Sequence, residues 1–281
     1  MRGDHVGMLL ALASAVCYGL ADFTGGLLSR RAGFVAVALA GQAGGLVLTL
    51  LVAPIVPATA LTLSPLGWGA LSGVGTGIGM LFLFRGLGRG AMSVVVPVSA
   101  VSGVALPVVV GVAFLGDQPS LPAWLGIAVA VPALWLVSRP SNRPGDAAGG
   151  RDGLIAGTGI ALQYVALAQA ASSAGIWPVV AGRAAATLAI LPLVFTTAPE
   201  RRPTVRQVLF AAGTGAIAAT ALTLYLAATR EELLVVAVVL SSFYPAIPVL
   251  LGITALRERL SWKQTLGLIG AATAIGLLAI A

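Results

Sequence analysis

The sequence predicts an all-α integral membrane protein of about ten transmembrane helices, folded as two inverted five-helix repeats. Three observations lead there. The 281 residues are 58% hydrophobic and only 9% charged, with a mean hydropathy of +1.02, whereas soluble domains carry about 25% charge. The apolar runs each approach the length, about 20 residues, that crosses ~30 Å of hydrocarbon as a helix. Finally, the stretch 89–137 returns as 230–278. In register, Pro107 falls on Pro248, Gly111 on Gly252, Asp117 on Glu258, Ser120 on Ser261 and Gly126 on Gly267. A repeat half a chain apart marks a duplicated unit. Backbone in lipid requires helices or a closed barrel, and no alternating strands occur in the sequence.

The first unit takes residues 1–138, with spans near 7–28, 34–55, 67–86, 92–115 and 121–138. Arg2 followed by an apolar run resembles a signal peptide, but the further spans favour a first helix that is retained. The second span carries Gly41 and Gly45, and the third Gly73, Gly75, Gly77 and Gly79. Small residues at such spacing let helix backbones approach in lipid. The third-span glycines follow no strand, so they pack helices rather than cradle phosphate. The fourth span contains Pro97 and Pro107, which remove backbone hydrogen bonds and are candidate hinges. Residues 139–152, rich in Pro, Gly, Asn and charge, read as a polar linker. The second unit, 153–281, has spans near 153–174, 176–197, 206–227, 233–256 and 262–280. Gly153 and Gly157 pack the sixth, and Pro245 and Pro248 are candidate hinges in the ninth. Gly7 and Tyr18 recur as Gly153 and Tyr164, and Gly41-Gln42-Ala43 as Gly182-Arg183-Ala184. An odd number of spans per unit turns the second upside down relative to the first, a plan that places a site between the repeats near the midplane.

Net charge is +7 and the pI about 10.7. The arginines lie between apolar runs rather than on one face, which argues for topology setting and against nucleic acid. Arg30, Arg31, Arg85, Arg89, Arg139, Arg143, Arg151, Arg201, Arg202, Arg206, Arg257, Arg259 and Lys263 fall on one side of a ten-span chain, Arg2 and Arg230 on the other. By that count both termini lie outside. A single cysteine, Cys17, excludes an internal disulfide, and a single histidine, His5, stands at the start of the chain. No metal site and no cofactor are expected.

Asp22, inside the first span, is the sharpest candidate. A carboxylate at that depth is a functional hypothesis by default, here a substrate contact or proton-coupling group. The alternative is a wet helix end with Asp22 paired to Arg30 or Arg31. Arg183, opposite Gln42 in the repeat alignment, is suited to clamp a carboxylate or phosphate bidentately, to pair with Asp22, or simply to snorkel. Tyr18 and Tyr164 occupy matching places, as do Cys17 and Gln163, which suits a pseudo-symmetric pocket. Ser99, Ser102, Gln169, Ser241, Ser242 and Tyr244 also fit a polar lining, although serine in membrane helices is often interhelical glue. Asp117 and Glu258, at the ends of spans four and nine, are expected to be solvated surface charges.

Across essentially its whole length the chain resembles the drug/metabolite transporter superfamily, and in particular bacterial EamA-type ten-helix proteins. The resemblance rests on Tyr18-Gly-Leu-Ala-Asp-Phe-Thr-Gly-Gly-Leu-Leu-Ser-Arg-Arg31, on Met92-Ser-Val-Val-Val-Pro97, and on Leu256-Arg-Glu-Arg-Leu-Ser261 followed by Gln264-Thr-Leu-Gly267. Where the family usually has a Gly-Glu pair, Arg257 precedes Glu258. The resemblance implies a multi-pass protein of the bacterial plasma (inner) membrane that moves small metabolites, amino-acid-like or drug-like, by alternating access. It also implies cytoplasmic termini. The expected partners are a small-molecule substrate and the lipid bilayer, with a monomer favoured over a dimer. A lipid-linked headgroup flippase of the same fold is the main alternative. An intramembrane enzyme would need paired acids, a Ser-Lys dyad or a His-Glu motif in a span, and the sequence has none.

Overall fold

A computed structural model of the chain describes residues 4–110, 120–137, 146–196, 203–231, 240–241, 244–258 and 260–279. Asp117 and Ser242 lie outside them. The described residues form ten α-helices: α1 (Asp4–Ser29), α2 (Phe34–Val52), α3 (Leu63–Arg89), α4 (Met92–Val110), α5 (Leu121–Val137), α6 (Asp146–Ala168), α7 (Trp177–Thr196), α8 (Val205–Glu231), α9 (Ala246–Thr254) and α10 (Trp262–Ala279). Among the described residues there is no strand. Five helices, α1, α2, α3, α7 and α8, are long and apolar enough to cross a membrane. The outward faces remain apolar, with Leu51, Leu63, Phe195 and Leu209 each more than 60% exposed, as a lipid-facing surface requires.

Two boundaries differ from expectation. Helix α6 begins at Asp146, within the stretch expected as linker. The ninth span is broken: the chain turns at Tyr244 and Pro245, and α9 starts only at Ala246. Pro245 is its N-cap and Pro248 lies in its first turn, where the missing N–H costs nothing. These two prolines therefore set a helix start instead of kinking a helix interior. Pro97 and Pro107 both lie within α4, which runs through them.

The packing repeats itself. Helix α3 lies on α6 and α7, and α8 lies on α1 and α2; α4 lies on α6, and α9 on α1. Helices α2 and α7 meet each other, as do α5 and α10. Exchanging α1–α5 with α6–α10 maps every one of these pairs onto another of the set. Direction inverts as well. Arg85, near the end of α3, pairs with Asp152 near the start of α6. Arg30, just past α1, donates to the carbonyls of Leu87 and Gly90 at the end of α3. The end of α1 and the start of its counterpart α6 thus share one side of the bundle.

Glycines fix the close crossings. A Cβ on Gly73 would collide with the carbonyl oxygen of Gly182, and one on Gly215 with that of Gly41. Gly41 and Gly182 are repeat mates, so α2·α8 and α7·α3 cross at equivalent points. With no hydrophobic drive between helices in lipid, this backbone contact is the attraction available. Gly73→Ala and Gly215→Ala are each expected to cost about 1–3 kcal/mol through overpacking. Gly213→Ala, whose Cβ meets open space, serves as the control. Thermal unfolding in detergent reads the difference; equal melting temperatures for Gly215→Ala and Gly213→Ala would contradict it.

Candidate functional site

Between the repeats lies a buried polar cluster. Tyr18 and Asp22 come from α1, Gln42 from α2, Ser99 from α4, Gln163 and Tyr164 from α6, Arg183 from α7, and Ser241 and Tyr244 from the broken ninth span; all are buried. Of the other side chains expected in a polar lining, Ser102 donates to the backbone of its own helix, Gln169 is exposed past the end of α6, and Ser242 lies outside the described residues. The structure adds Tyr225 of α8, 1% exposed, whose ring stacks at 4.9 Å from that of Tyr164. Tyr18 and Tyr244 lie 6.1 Å apart, also tilted. The sequence has four tyrosines, and all four converge here. That scarcity, with each one inside an apolar run, was the signal for Tyr225.

The two charges differ in their company. Arg183, 3% exposed, donates from Nη1 to Oε1 of Gln42 at 2.9 Å. Its Nε has no acceptor, and it forms no ion pair among the described residues. Asp22, also 3% exposed, pairs neither with Arg183 nor with Arg30 or Arg31. Arg30 is engaged by Leu87, Gly90 and Glu258 instead. Tyr18 is within electrostatic reach of both Arg183 and Asp22. Its hydroxyl accepts from Nε2 of Gln163 at 3.3 Å, and the Gln163 carbonyl group in turn accepts from Thr76 at 2.8 Å. The Tyr225 hydroxyl is buried and unpartnered. Ser99 and Ser241 donate to the backbone carbonyls of Val96 and Ala11, which is the glue role. A buried cation and a buried anion thus stand unpaired with each other, in a cluster that retains unfilled hydrogen-bonding capacity.

Contacts across the repeats hold both ends of the bundle. Glu258 is not the solvated charge expected of it: it is 8% exposed. Its carboxylate accepts from the backbone N–H of Met92 at 3.1 Å and of Ser93 at 3.0 Å, and it meets Arg30 at 3.4 Å. It caps α4 from the other repeat, where the helix dipole favours an anion. Arg257, immediately before it, has φ 53°. That left-handed conformation favours glycine, which explains why the resembling family has glycine there. The turn carries the chain back so that the N–H of Glu258 reaches the Gly252 carbonyl, 3.0 Å away. At the opposite end the N–H of Thr59 donates across to Ser173 at 2.8 Å, and within the second repeat Arg230 donates to the Gly175 carbonyl at 2.6 Å.

Removing the cap by Glu258→Ala is expected to cost about 2 kcal/mol, since two buried N–H groups lose their acceptor. Arg257→Gly should stabilise by about 1 kcal/mol by relieving the left-handed backbone. Denaturation in detergent checks both, and an unchanged or reduced stability of Arg257→Gly would contradict the strain.

The chain is similar to known proteins in part of its sequence and in its fold. Residues 5–139 match the sequence model of the EamA-like transporter family. No curated protein matches the sequence. A solved crystal structure superposes with a TM-score of 0.61 at 18% identity, covering 98% of this chain and 97% of the other; that likeness is one of fold.

Proposed function

We propose, from the premise that residues 5–139 belong to the EamA-like transporter family, that the chain carries small zwitterionic, amino-acid-like molecules across a membrane by alternating access. The family is one of transporters, so the coarse assignment is a multi-pass membrane transporter of small molecules. The substrate class is our reading of the central cluster.

One observation carries it. Arg183 is a buried guanidinium with an unpartnered Nε and, among the described residues, no countercharge, and Asp22 is a buried acid that does not pair with it. An unmatched buried charge is expensive in a protein interior and more so in a membrane. A zwitterion supplies both missing partners: its carboxylate to Arg183, its ammonium to Asp22. The four tyrosine rings offer apolar faces to the remainder of the molecule. A ligand with only an anionic group would leave Asp22 without a role, unless Asp22 carries a proton.

Access would alternate by breaking one set of end contacts at a time. The Glu258 and Asp152 pairs close one end, and the Thr59–Ser173 contact closes the other. The break at Tyr244 and Pro245 places a helix start beside the site, as in carriers with discontinuous helices. Arg30, Arg31, Arg85, Arg89 and Arg206 gather at the first end, and Arg230 at the second. We therefore place the arginine-rich end in the cytoplasm and the start of α1 outside, against the cytoplasmic termini the resemblance implies.

Uptake of a mixed amino-acid pool into proteoliposomes tests the reading. Arg183→Lys is expected to lower uptake at least about tenfold, the loss of one charge-assisted hydrogen bond. Asp22→Asn should do the same whether or not a pH gradient is imposed, if Asp22 meets the substrate. Loss confined to gradient-driven uptake would assign Asp22 to proton coupling instead, and unaltered uptake by Arg183→Lys would remove the carboxylate clamp.

A further inference from the structure

At the arginine-rich end, two adjoining cavities share one side chain. The first, about 190 Å³, is lined by Arg30, Arg31, Arg85 and Arg89, with Gly33 and Phe34 at the start of α2. Glu258 and Asp152 engage Arg30 and Arg85; among the described residues no acid pairs with Arg31 or Arg89. Helix α2 opens at Gly33 without a side-chain cap, so its free N–H groups add positive potential. The second cavity, about 980 Å³, is an apolar groove between α1 and α8, walled by Leu27, Leu28, Leu209, Phe210 and Ile217. Arg31 lines both cavities. Arg206, 5.6 Å over the Phe210 ring, lines the groove as well.

We propose that the pair forms a binding site for one anionic phospholipid, with its phosphate against Arg31 and Arg89 and an acyl chain in the α1/α8 groove. The chemistry selects this occupant. A free phosphate gains nothing from an apolar groove adjoining its pocket. A neutral acyl chain gains nothing from four guanidinium groups, two of them without acids. Basic pockets between transmembrane helices at the membrane surface suit anionic headgroups, and the groove walls belong to two helices long and apolar enough to cross a membrane. The site lies apart from the central cluster and does not rest on the transport reading.

The test titrates the purified full chain in a non-ionic detergent with phosphatidylglycerol or phosphatidylcholine of the same acyl chains, and counts bound lipid by native mass spectrometry. Phosphatidylglycerol is expected to bind at least about tenfold more tightly. Arg31→Gln with Arg89→Gln should abolish that preference. Gly213→Leu, which directs a side chain into open space in the groove, should weaken phosphatidylglycerol binding about tenfold. That variant carries the test should the double arginine variant fail to fold. Inorganic phosphate should compete poorly. Equal binding of the two lipids, or full binding by Gly213→Leu, would overturn the proposal. Displacement of the lipid by inorganic phosphate would also overturn it, leaving a free-anion pocket.

Discussion

In lipid a polar group must be satisfied by its own protein, and among the described residues that constraint is left open within one cluster, at the Nε of Arg183 and the hydroxyls of Tyr225 and Tyr244. Elsewhere the chain meets it locally. The hydroxyls of Thr49, Thr187, Thr223 and Thr254 each donate to the carbonyl four residues earlier, so they cost nothing to bury. Gln163 is bonded at both its side-chain oxygen and its side-chain nitrogen. Against that background a buried Arg183 with an idle Nε stands out as capacity held for a ligand.

The frame is symmetric and the chemistry is not. Equivalent glycine crossings, Gly41 on Gly215 and Gly182 on Gly73, bring both repeats to the same close approach. On that frame Gln42 faces Arg183 at 2.9 Å, the two repeat mates touching each other. In the register that matches Tyr18 with Tyr164, Asp22 falls on Ala168. The duplicated unit therefore keeps one acid and one base at its centre, each in one copy only. The end charges Glu258 and Asp152, by contrast, each reach across to the other repeat and are paired.

Much of this was legible in the sequence because lipid leaves so few options. Apolar length fixed the helices, and the repeat fixed their inversion. The repeat alignment alone brought Gln42 and Arg183 together. Glu258 was misjudged because a charge at the end of a span reads as wet. Its partners, Met92 and Ser93, lie 166 and 165 positions away, a distance no local pattern spans. Pro245 and Pro248 were read as interior kinks because an apolar run conceals a helix start; only the turn at Tyr244 separates the two cases. Tyr225 has no polar counterpart in α3, because in the register that matches Gly41 with Gly182 it falls on Phe84 and reads as an apolar packing position. Apolar content alone also hid the onset of α6, since helix N-termini tolerate the acids and glycines that mark linkers.

The most direct measurement compares equilibrium binding of three ligands that share one side chain: a zwitterionic amino acid, its analogue without the amine and its analogue without the carboxylate. The charge-separated site predicts that the zwitterion binds at least about tenfold more tightly than either analogue, each having lost one charged partner. An analogue with a single charge that binds as well as the zwitterion would contradict the account, because one of the two buried charges would then have no part in recognition.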